Sequence, residues 1–352
     1  MPGEGKNEKV DHAALDVLFD DDTSVHSIEG PGTPQSSLSQ KMQPGVHQSL
    51  LALKSHLSVK EDMPKVVHVP LEDHYTRTSD LGSGRFAQVA CVIHKDSKRK
   101  YAAKIMGKDH DGDVELAMIR RLDHQHILRL HETCLDSGQM YLILDLCTGG
   151  DLFQWMQERE ESYFGQSIYM PPSAQILAQC IWQLLSAVVY LHHHKIAHRD
   201  IKPDNLLLQS NGNPLVWKLS DFNLATIYQR GKLMSLRCGS PGYMAPEVVC
   251  NSYSCLCDIW SVGAICHKMA TGEYLYTFIS VEEYYEQAKG GASTMRLSEQ
   301  KWTNFSPKAL SFVKELLRPE SEARPTALQA IGNEWLRKNG DPSASAGCCA
   351  VL

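Results

Sequence analysis

The chain has 352 residues, enough for about two domains, and its 43% hydrophobic and 22% charged residues are ordinary for a globular protein. A formal net charge of −6 argues against a nucleic-acid partner, because sequence-independent binding to nucleic acid needs a basic surface. The eleven cysteines form no CxxC pair and follow no secretory signal, which indicates reduced thiols in a cytoplasmic protein.

The N-terminal extension, residues 1–72, is rich in Ser, Pro, Gly and Gln. We predict that it is mostly disordered, since it cannot bury enough apolar surface to offset the entropy lost on ordering. A short helix near residues 47–59 is predicted from four leucines at near-helical spacing, Leu50, Leu51, Leu53 and Leu57. This helix either docks on the folded part or forms transiently in a tail.

The segment 73–147 has the pattern of strands, in YTRTSDLGSGRFAQVACVIH, KYAAKIM and MYLILDLC. Residues 148–337 are mainly helical, and PPSAQILAQCIWQLLSAVVYLHHH has apolar residues at i, i+3, i+4 and i+7. A β-rich part followed by an α-rich part predicts an α+β fold with two lobes and a cleft between them. We expect no membrane span, because no apolar run reaches about 18 residues.

Two smaller features complete this part of the chain. LLLQSNGNPLVWKLSDF predicts a hairpin that turns at Asn211-Gly212. The last helix, PTALQAIGNEWLRK, is predicted to end near Lys338, and residues 338–352 to form a flexible tail.

Several short motifs follow one another along the two lobes. LGSGRFAQVA places glycines between two strands, which allows backbone to approach phosphate, although most such glycines only form a turn. AAKI, VELAMIRRL, HRDIKPDN, SDFN and CGSPGYMAPE come next, in that order. A lysine and a glutamate alone would be solvated surface charges in most proteins, so the co-occurrence of all these motifs carries the specificity.

With these motifs in this order and at this spacing, the chain resembles eukaryotic protein kinases from about Tyr75 to Arg337. HRDIKPDN and CGSPGYMAPE resemble serine/threonine rather than tyrosine kinases, and the calcium/calmodulin-dependent type is the subgroup most similar in pattern. The resemblance implies a bilobal kinase domain at residues 73–337, with the N-lobe at 73–147 and the C-lobe at 148–337. It also implies ATP-dependent transfer of phosphate to Ser or Thr of protein substrates.

By this resemblance, Lys104 holds the α- and β-phosphates of ATP and Glu115 holds Lys104. Asp200 orients the substrate hydroxyl, and Lys202 neutralises the moving phosphoryl group. The resemblance assigns two Mg²⁺ ligands, Asn205 and Asp221, whose oxygen atoms suit this hard cation.

The nucleotide site implied by the resemblance has three parts. The phosphate loop consists of Leu81, Gly82, Ser83 and Gly84. The adenine is enclosed by Val89, Ala102 and Leu207. The hinge runs from Asp145 to Cys147 behind Leu144, and Asp151 lies near the ribose. A hydrophobic column that ties the lobes together comprises Ile119, Leu130, His198, Phe222 and Asp258.

Two positions depart from the family pattern. Ala87 replaces the third glycine of the phosphate loop, and Asn223 replaces the glycine of the Asp-Phe-Gly triplet. Asn is one of the few residues other than glycine that is enriched at positive φ, and it leaves Asp221 in place. We therefore expect an altered balance of loop states rather than lost chemistry. The alternative is a pseudokinase that signals by binding alone, and the retained Lys104, Asp200 and Asp221 argue against it.

The activation loop lacks the usual phosphorylated residue. Arg199 precedes Asp200, and an arginine in this place normally pairs with a phosphate on the loop. The position of the usual phosphothreonine is occupied by Leu236, with Ser235 as the nearest hydroxyl. We expect activity without phosphorylation of the loop.

The sequence ends in GCCAVL, which matches the C-a-a-X prenylation pattern. A final leucine favours a geranylgeranyl group on Cys349, and Cys348 could carry a palmitoyl group as the second membrane signal. The alternative is a chance cysteine in a floppy terminus. We expect a monomer that works in the cytoplasm and associates peripherally with membranes.

Overall fold

A computed structural model describes residues 64–83, 87–107, 110–136, 138–163, 166–297 and 299–341, all within one structural unit, residues 45–352. The predicted helix near 47–59, Gly84 of the phosphate loop, and Cys348 and Cys349 of the tail lie outside the described residues.

The N-lobe is a six-stranded sheet with two short helices. In chain order its elements are β1 (Lys65–Val67), α1 (Leu71–His74), β2 (Tyr75–Ser83), β3 (Ala87–His94), β4 (Lys100–Gly107), α2 (His110–Ile119), β5 (Leu130–Leu135) and β6 (Gln139–Leu144). The strand order is β1-β5-β6-β4-β3-β2, and every neighbouring pair is antiparallel except β1 and β5.

The sheet begins upstream of residue 73, where the sequence predicts the domain boundary. β1 pairs in parallel with β5, with Lys65 opposite Glu132. Leu71 in α1 is buried in the same apolar cluster as Tyr75. A three-residue strand has too short a pattern to be recognised locally, and its hydrogen bonds come from a partner far along the chain.

The C-lobe consists mainly of helices, α3 (Leu152–Gln157), α4 (Ala174–His193), α5 (Pro246–Val249), α6 (Cys257–Thr271), α7 (Val281–Lys289), α8 (Pro307–Leu316), α9 (Ala327–Ile331) and α10 (Glu334–Gly340). Three antiparallel pairs of short strands join them. These pairs are β7 (Glu160–Tyr163) with β8 (Gln166–Tyr169), β9 (Ile196–Ala197) with β12 (Thr226–Ile227), and β10 (Leu206–Leu208) with β11 (Trp217–Leu219). A β-sheet lobe followed by a helical lobe confirms the predicted α+β fold.

Helix α4 confirms the strongest helical prediction. Ser173 caps it by accepting a hydrogen bond from Ile176 N. By length and composition alone α4 could cross a membrane, which differs from the expectation that no segment is apolar enough. Its apolar residues instead pack against α6, α9, α10 and β11, so the core of the lobe covers them.

The hairpin and the last helix of the C-lobe each differ in detail from the sequence-based prediction. The predicted hairpin is present, with Leu206 opposite Leu219, but Leu208 pairs with Trp217, so residues 209–216 connect the strands and not a tight turn at Asn211-Gly212. The predicted last helix is divided into α9 and α10, because Asn333 caps a new helix by accepting a hydrogen bond from Trp335 N. Helix α10 also continues past residue 337 to Gly340, where a side chain would clash with the Ala178 carbonyl of α4. This close contact places residues 338–340 in the domain rather than in the tail.

Candidate active site

Lys104 on β4 forms an ion pair with Glu115 on α2 in the N-lobe. The ammonium lies 2.6 and 2.7 Å from the two carboxylate oxygens of Glu115, whose side chain is only 2% exposed. Burial alone would lower the pKa of Lys104, but Glu115 and Asp221 outweigh it and the pKa is raised. Lys104 therefore stays charged, as a group that binds phosphate must.

Asp221 approaches the same lysine from the C-lobe, with its Oδ1 3.4 Å from Lys104 Nζ. Its backbone is left-handed, at φ +62°. The following Phe222 is fully buried, its ring lies 5.0 Å from that of His198, and its backbone N–H also reaches Glu115. One lysine thus connects both lobes across the cleft.

The loop that contains His198, Arg199 and Asp200 is bound to α6 by a single buried carboxylate. Asp258, with no exposed surface, accepts hydrogen bonds from the backbone N–H groups of His198 (3.0 Å) and Arg199 (2.9 Å), and its Oδ2 contacts His192 Nε2 (2.9 Å). Burial alone would raise the pKa of Asp258, but these hydrogen bonds lower it below the ordinary value. A permanent negative charge therefore holds the loop.

Asp200 and Lys202 lie side by side in this loop. Lys202 Nζ is 3.2 Å from Asp200 Oδ2, and Ser240 donates to Asp200 Oδ1 at 2.7 Å. Ser240 also accepts from Lys202 at 3.0 Å. The structure thus brings the two residues together and adds Ser240 as their shared partner.

Asn205 and Asp221, the predicted Mg²⁺ ligands, offer side-chain oxygens of the kind that this cation prefers. The side-chain nitrogen of Asn205 donates to the Asp200 carbonyl at 2.8 Å, which leaves its side-chain oxygen as the end that can bind a cation. Ser220, which precedes Asp221, donates twice to the Asn205 carbonyl. Among the described residues no three His, Cys, Asp or Glu side chains could hold a metal, so a Mg²⁺ here would need phosphate oxygens as further ligands.

The residues predicted to enclose the adenine come from both lobes. Val89 is opposite Lys104, and Ala102 lies two residues before it on β4, so all three share one face of the sheet. Leu207 forms a bridge with Asp151 in the C-lobe. Leu207 and Cys147 are partly buried against the core.

Asp151 also starts helix α3. Its Oδ1 accepts a hydrogen bond from Gln154 N at 2.8 Å, and burial raises its pKa. One of its carboxylate oxygens is therefore already used for capping, while its position beside Leu207 is that expected for a group near the ribose.

The described part of the phosphate loop lies on β2 opposite β3. Gly82 pairs with Val89 and Ser83 with Gln88, while Leu81 falls in a register shift and is 48% exposed. A side chain at Gly82 would meet no atom of the described residues within 4 Å. Space above this glycine is what the close approach of a phosphate requires.

The hinge residue Asp145 is held by side chains that sequence reasoning missed. His131 Nε2 lies 2.7 Å from its Oδ1 and Lys218 Nζ lies 3.1 Å from its Oδ2. Burial would raise the pKa of Asp145, but these partners lower it to about 2. Lys218 also donates to the Gln125 carbonyl, so one lysine ties the Asp145 side chain and the Gln125 backbone to β11. Lys218, three residues before Asp221, was the one feature of the sequence that could have indicated these contacts of Asp145.

The residues of the hydrophobic column are all buried, at 0 to 2% exposure, namely Ile119, Leu130, His198, Phe222 and Asp258. Arg324 is also buried and pairs with both carboxylate oxygens of Glu247, one of them at 2.7 Å. A bidentate pair of this kind fixes the segment after Ser240 to the end of the C-lobe.

Asn223 does not need the conformation for which glycine is favoured. Five non-glycine residues in the described part of the chain have a positive φ, and Asp221 is one of them while Asn223 is not. Asn223 lies in a turn closed by the hydrogen bond from Ala225 N to the Phe222 carbonyl. The left-handed residue of the triplet is its aspartate, so the asparagine introduces no backbone strain in this state.

Comparison with known proteins agrees with this geometry. The protein kinase domain family matches residues 75–336. The chain is 33% identical to calcium/calmodulin-dependent protein kinase type 1 of Macrobrachium nipponense, over 80% of each chain. It is 32% identical to serine/threonine-protein kinase 33 of Mus musculus, over 78% of this chain and 57% of that protein. It is also 32% identical to myosin light chain kinase A of Dictyostelium discoideum, over 76% and 90%.

The ion pair of Lys104 and Glu115 predicts an asymmetric response to mutation. Lys104→Met leaves the Glu115 carboxylate buried without a cation, and we expect it to lower the free energy of unfolding by about 3 kcal/mol. Burial already raises the pKa of Glu115, and removal of the lysine raises it further, so the loss of stability should grow from pH 6 to pH 8 as the carboxyl ionises.

The measurement is urea unfolding at both pH values. The double variant Lys104→Met/Glu115→Gln is the control, because it has no charge to desolvate, and it should recover part of the lost stability. Equal stability of wild type and Lys104→Met at pH 8 would contradict the argument.

Proposed function

The chain belongs to the protein kinase family, and we propose that it transfers the γ-phosphate of ATP to protein serine and threonine hydroxyls through Asp200, Lys202, Lys104 and Glu115. It is a protein serine/threonine kinase, as its named relatives are. The observation that supports these residue roles is the meeting of Lys104, Glu115 and Asp221 within 3.4 Å across the cleft.

The proposed chemistry is positioning and charge neutralisation. Asp200 accepts a hydrogen bond from the incoming hydroxyl, while Ser240 at its Oδ1 and Lys202 near its Oδ2 hold the carboxylate in position. Lys202, 3.2 Å from Asp200, holds the transferred phosphoryl oxygens. The fixed partners of both groups keep them aligned before the substrate arrives, so little reorganisation is needed during transfer.

Nucleotide binding is proposed for the cleft between the lobes. Val89, Ala102 and Leu207 enclose the adenine, the backbone from Asp145 to Cys147 bonds its edge, and Asp151 lies at the ribose. Lys104 binds the α- and β-phosphates, and Leu81, Gly82, Ser83 and Gly84 cover them. Asn205 and Asp221 would hold Mg²⁺, which when bound neutralises the phosphate charge.

A pseudokinase scaffold is the rival reading of the departure at Asn223. No observation in the described residues favours it, since the three charged groups that phosphotransfer needs are present and partnered.

The function is tested with Asp200→Asn. This variant keeps the shape of the side chain but removes the charge that orients the hydroxyl, so we expect loss of peptide phosphorylation by about a hundredfold or more. The assay uses labelled ATP, Mg²⁺ and a library of Ser/Thr peptides, with melting temperatures as the check on folding. Wild-type rates in the folded variant would refute the assigned role.

Asn223→Gly tests the altered triplet. Because Asn223 has no positive φ to relieve, we expect the variant to be active, with a rate within roughly tenfold of the wild type. The same peptide assay measures it. An inert wild type beside a fully active Asn223→Gly variant would instead support the pseudokinase reading.

We also propose that the kinase works at a membrane surface, through a geranylgeranyl group on Cys349 and a palmitoyl group on Cys348. The support is the terminal CAVL of the sequence, which has cysteine at the fourth position from its end and a leucine last. One lipid chain gives only marginal, reversible binding, and the adjacent cysteine provides the second chain.

Cys349→Ser tests this proposal by fractionation of cells that express each protein. We expect wild type in the membrane fraction and Cys349→Ser in the soluble fraction, with Cys348→Ser intermediate. Mass spectrometry of the C-terminal peptide identifies the lipid. The same soluble distribution for all three proteins, with an unmodified Cys349, would overturn it.

A further inference from the structure

Tyr253 lies between α5 and α6 and is hydrogen-bonded to the segment of residues 234–240, which carries Leu236. Its ring is buried, at 1% exposure. Its backbone forms an antiparallel bridge with Met234, in which Met234 N donates to the Tyr253 carbonyl (2.8 Å) and Tyr253 N donates to the Met234 carbonyl (3.1 Å).

The hydroxyl of Tyr253 makes a third bond to the same segment. It donates to the Leu236 carbonyl at 2.6 Å and accepts from Arg199 Nη1 at 3.2 Å. Cys238 Sγ also lies 3.7 Å from it. Burial raises the pKa of Tyr253, so the hydroxyl keeps the proton that it donates.

Arg199, which donates to the Tyr253 hydroxyl, is itself held by further hydrogen bonds. Its backbone is left-handed, at φ +68°, and its N–H donates to Asp258. Its Nε donates to the Leu224 carbonyl at 2.7 Å. The guanidinium therefore contacts the turn after Asp221 and the hydroxyl of Tyr253 at the same time.

The linked segment leads directly to the catalytic groups. Four residues after Leu236, Ser240 donates to Asp200 and accepts from Lys202. Between them Gly239 has φ +108°, and a side chain there would collide with the Arg199 carbonyl at 2.6 Å. The position of Ser240 thus depends on where the Leu236 backbone is held.

We propose that Tyr253 is a positioning residue for phosphotransfer: its hydroxyl joins the Leu236 carbonyl to Arg199 and so places Ser240 against Asp200 without a phosphate on the segment. This inference rests on the proposed function. The side chain at the phosphothreonine position, Leu236, is 60% exposed and takes no part, since the link uses its backbone carbonyl. A neutral phenol, which both accepts and donates, connects the arginine to the segment.

The test compares Tyr253→Phe with Tyr276→Phe. Tyr276 is an equally buried tyrosine whose hydroxyl has no hydrogen-bond partner in the described part of the chain, so its removal loses no such link. Both proteins and the wild type are made in bacteria, treated with phosphatase and shown by intact mass to carry no phosphate. Two readouts are taken, peptide and ATP kinetics, and the rate of tryptic cleavage after Lys232 and Arg237, which are exposed.

For Tyr253→Phe we expect kcat to fall roughly tenfold, the size of one lost bond to a charged group, while the KM for ATP is unchanged. We also expect tryptic cleavage of the segment to be several times faster, with the melting temperature within a few degrees of that of Tyr276→Phe. Tyr276→Phe should behave as wild type in both readouts.

The inference is overturned if Tyr253→Phe matches Tyr276→Phe in cleavage or in kcat, or if dephosphorylated wild type becomes active only after phosphorylation of Ser235. A wild type that phosphorylates no peptide would refute the proposed function instead. The cleavage rates would then still decide whether the hydroxyl holds the segment.

Discussion

The buried carboxylate of Asp258 is the interaction on which the site is built. Asp258 belongs to α6, a helix buried in the interior of the C-lobe, and it accepts hydrogen bonds from the backbone N–H groups of His198 and Arg199. An ionised group without solvent is costly unless hydrogen bonds replace its water, and here two backbone N–H groups and His192 do so. Removing any donor would leave charge unpaired, so the loop is fixed in one arrangement, including the left-handed Arg199.

From that anchor the catalytic groups are connected in a closed path. Arg199 reaches Tyr253, Tyr253 holds Leu236, and the chain returns through Ser240 to Asp200, one residue from where it began. The path uses three hydrogen bonds and the chain from Leu236 to Ser240, and of its residues Arg199 is held by its left-handed backbone and Tyr253 by burial. Preorganisation of this kind is what phosphotransfer requires, since its rate depends on position and charge more than on covalent chemistry.

Among the contacts between the two lobes, lysine–carboxylate pairs lie at two separate positions. In the cleft, Lys104 connects Glu115 of the N-lobe with Asp221 of the C-lobe. Behind the hinge, Lys218 connects the C-lobe strand β11 with Asp145 and with the Gln125 carbonyl. Both lysines are mostly buried, so these pairs are weakly screened by salt. The charges proposed to orient ATP and the charges that hold Asp145 are therefore separate sets.

The sequence alone determined the fold class, because the order of the lobes follows from local periodicity, and it supplied the proposed reacting groups, because a charged group must be of a given residue type to do its chemistry. It also determined the pairing of the two strands around Asn211-Gly212, though not their turn, and helix α4. It did not reveal strand β1, the division between α9 and α10, or the extension to Gly340, since these depend on a distant strand, a cap and a close contact with Ala178. The tertiary structure decided that Asp221, not Asn223, carries the left-handed backbone, and that Tyr253 contacts Arg199 from 54 residues away. Contacts between residues so far apart are set by the packing of the whole lobe, and a local pattern carries no record of them.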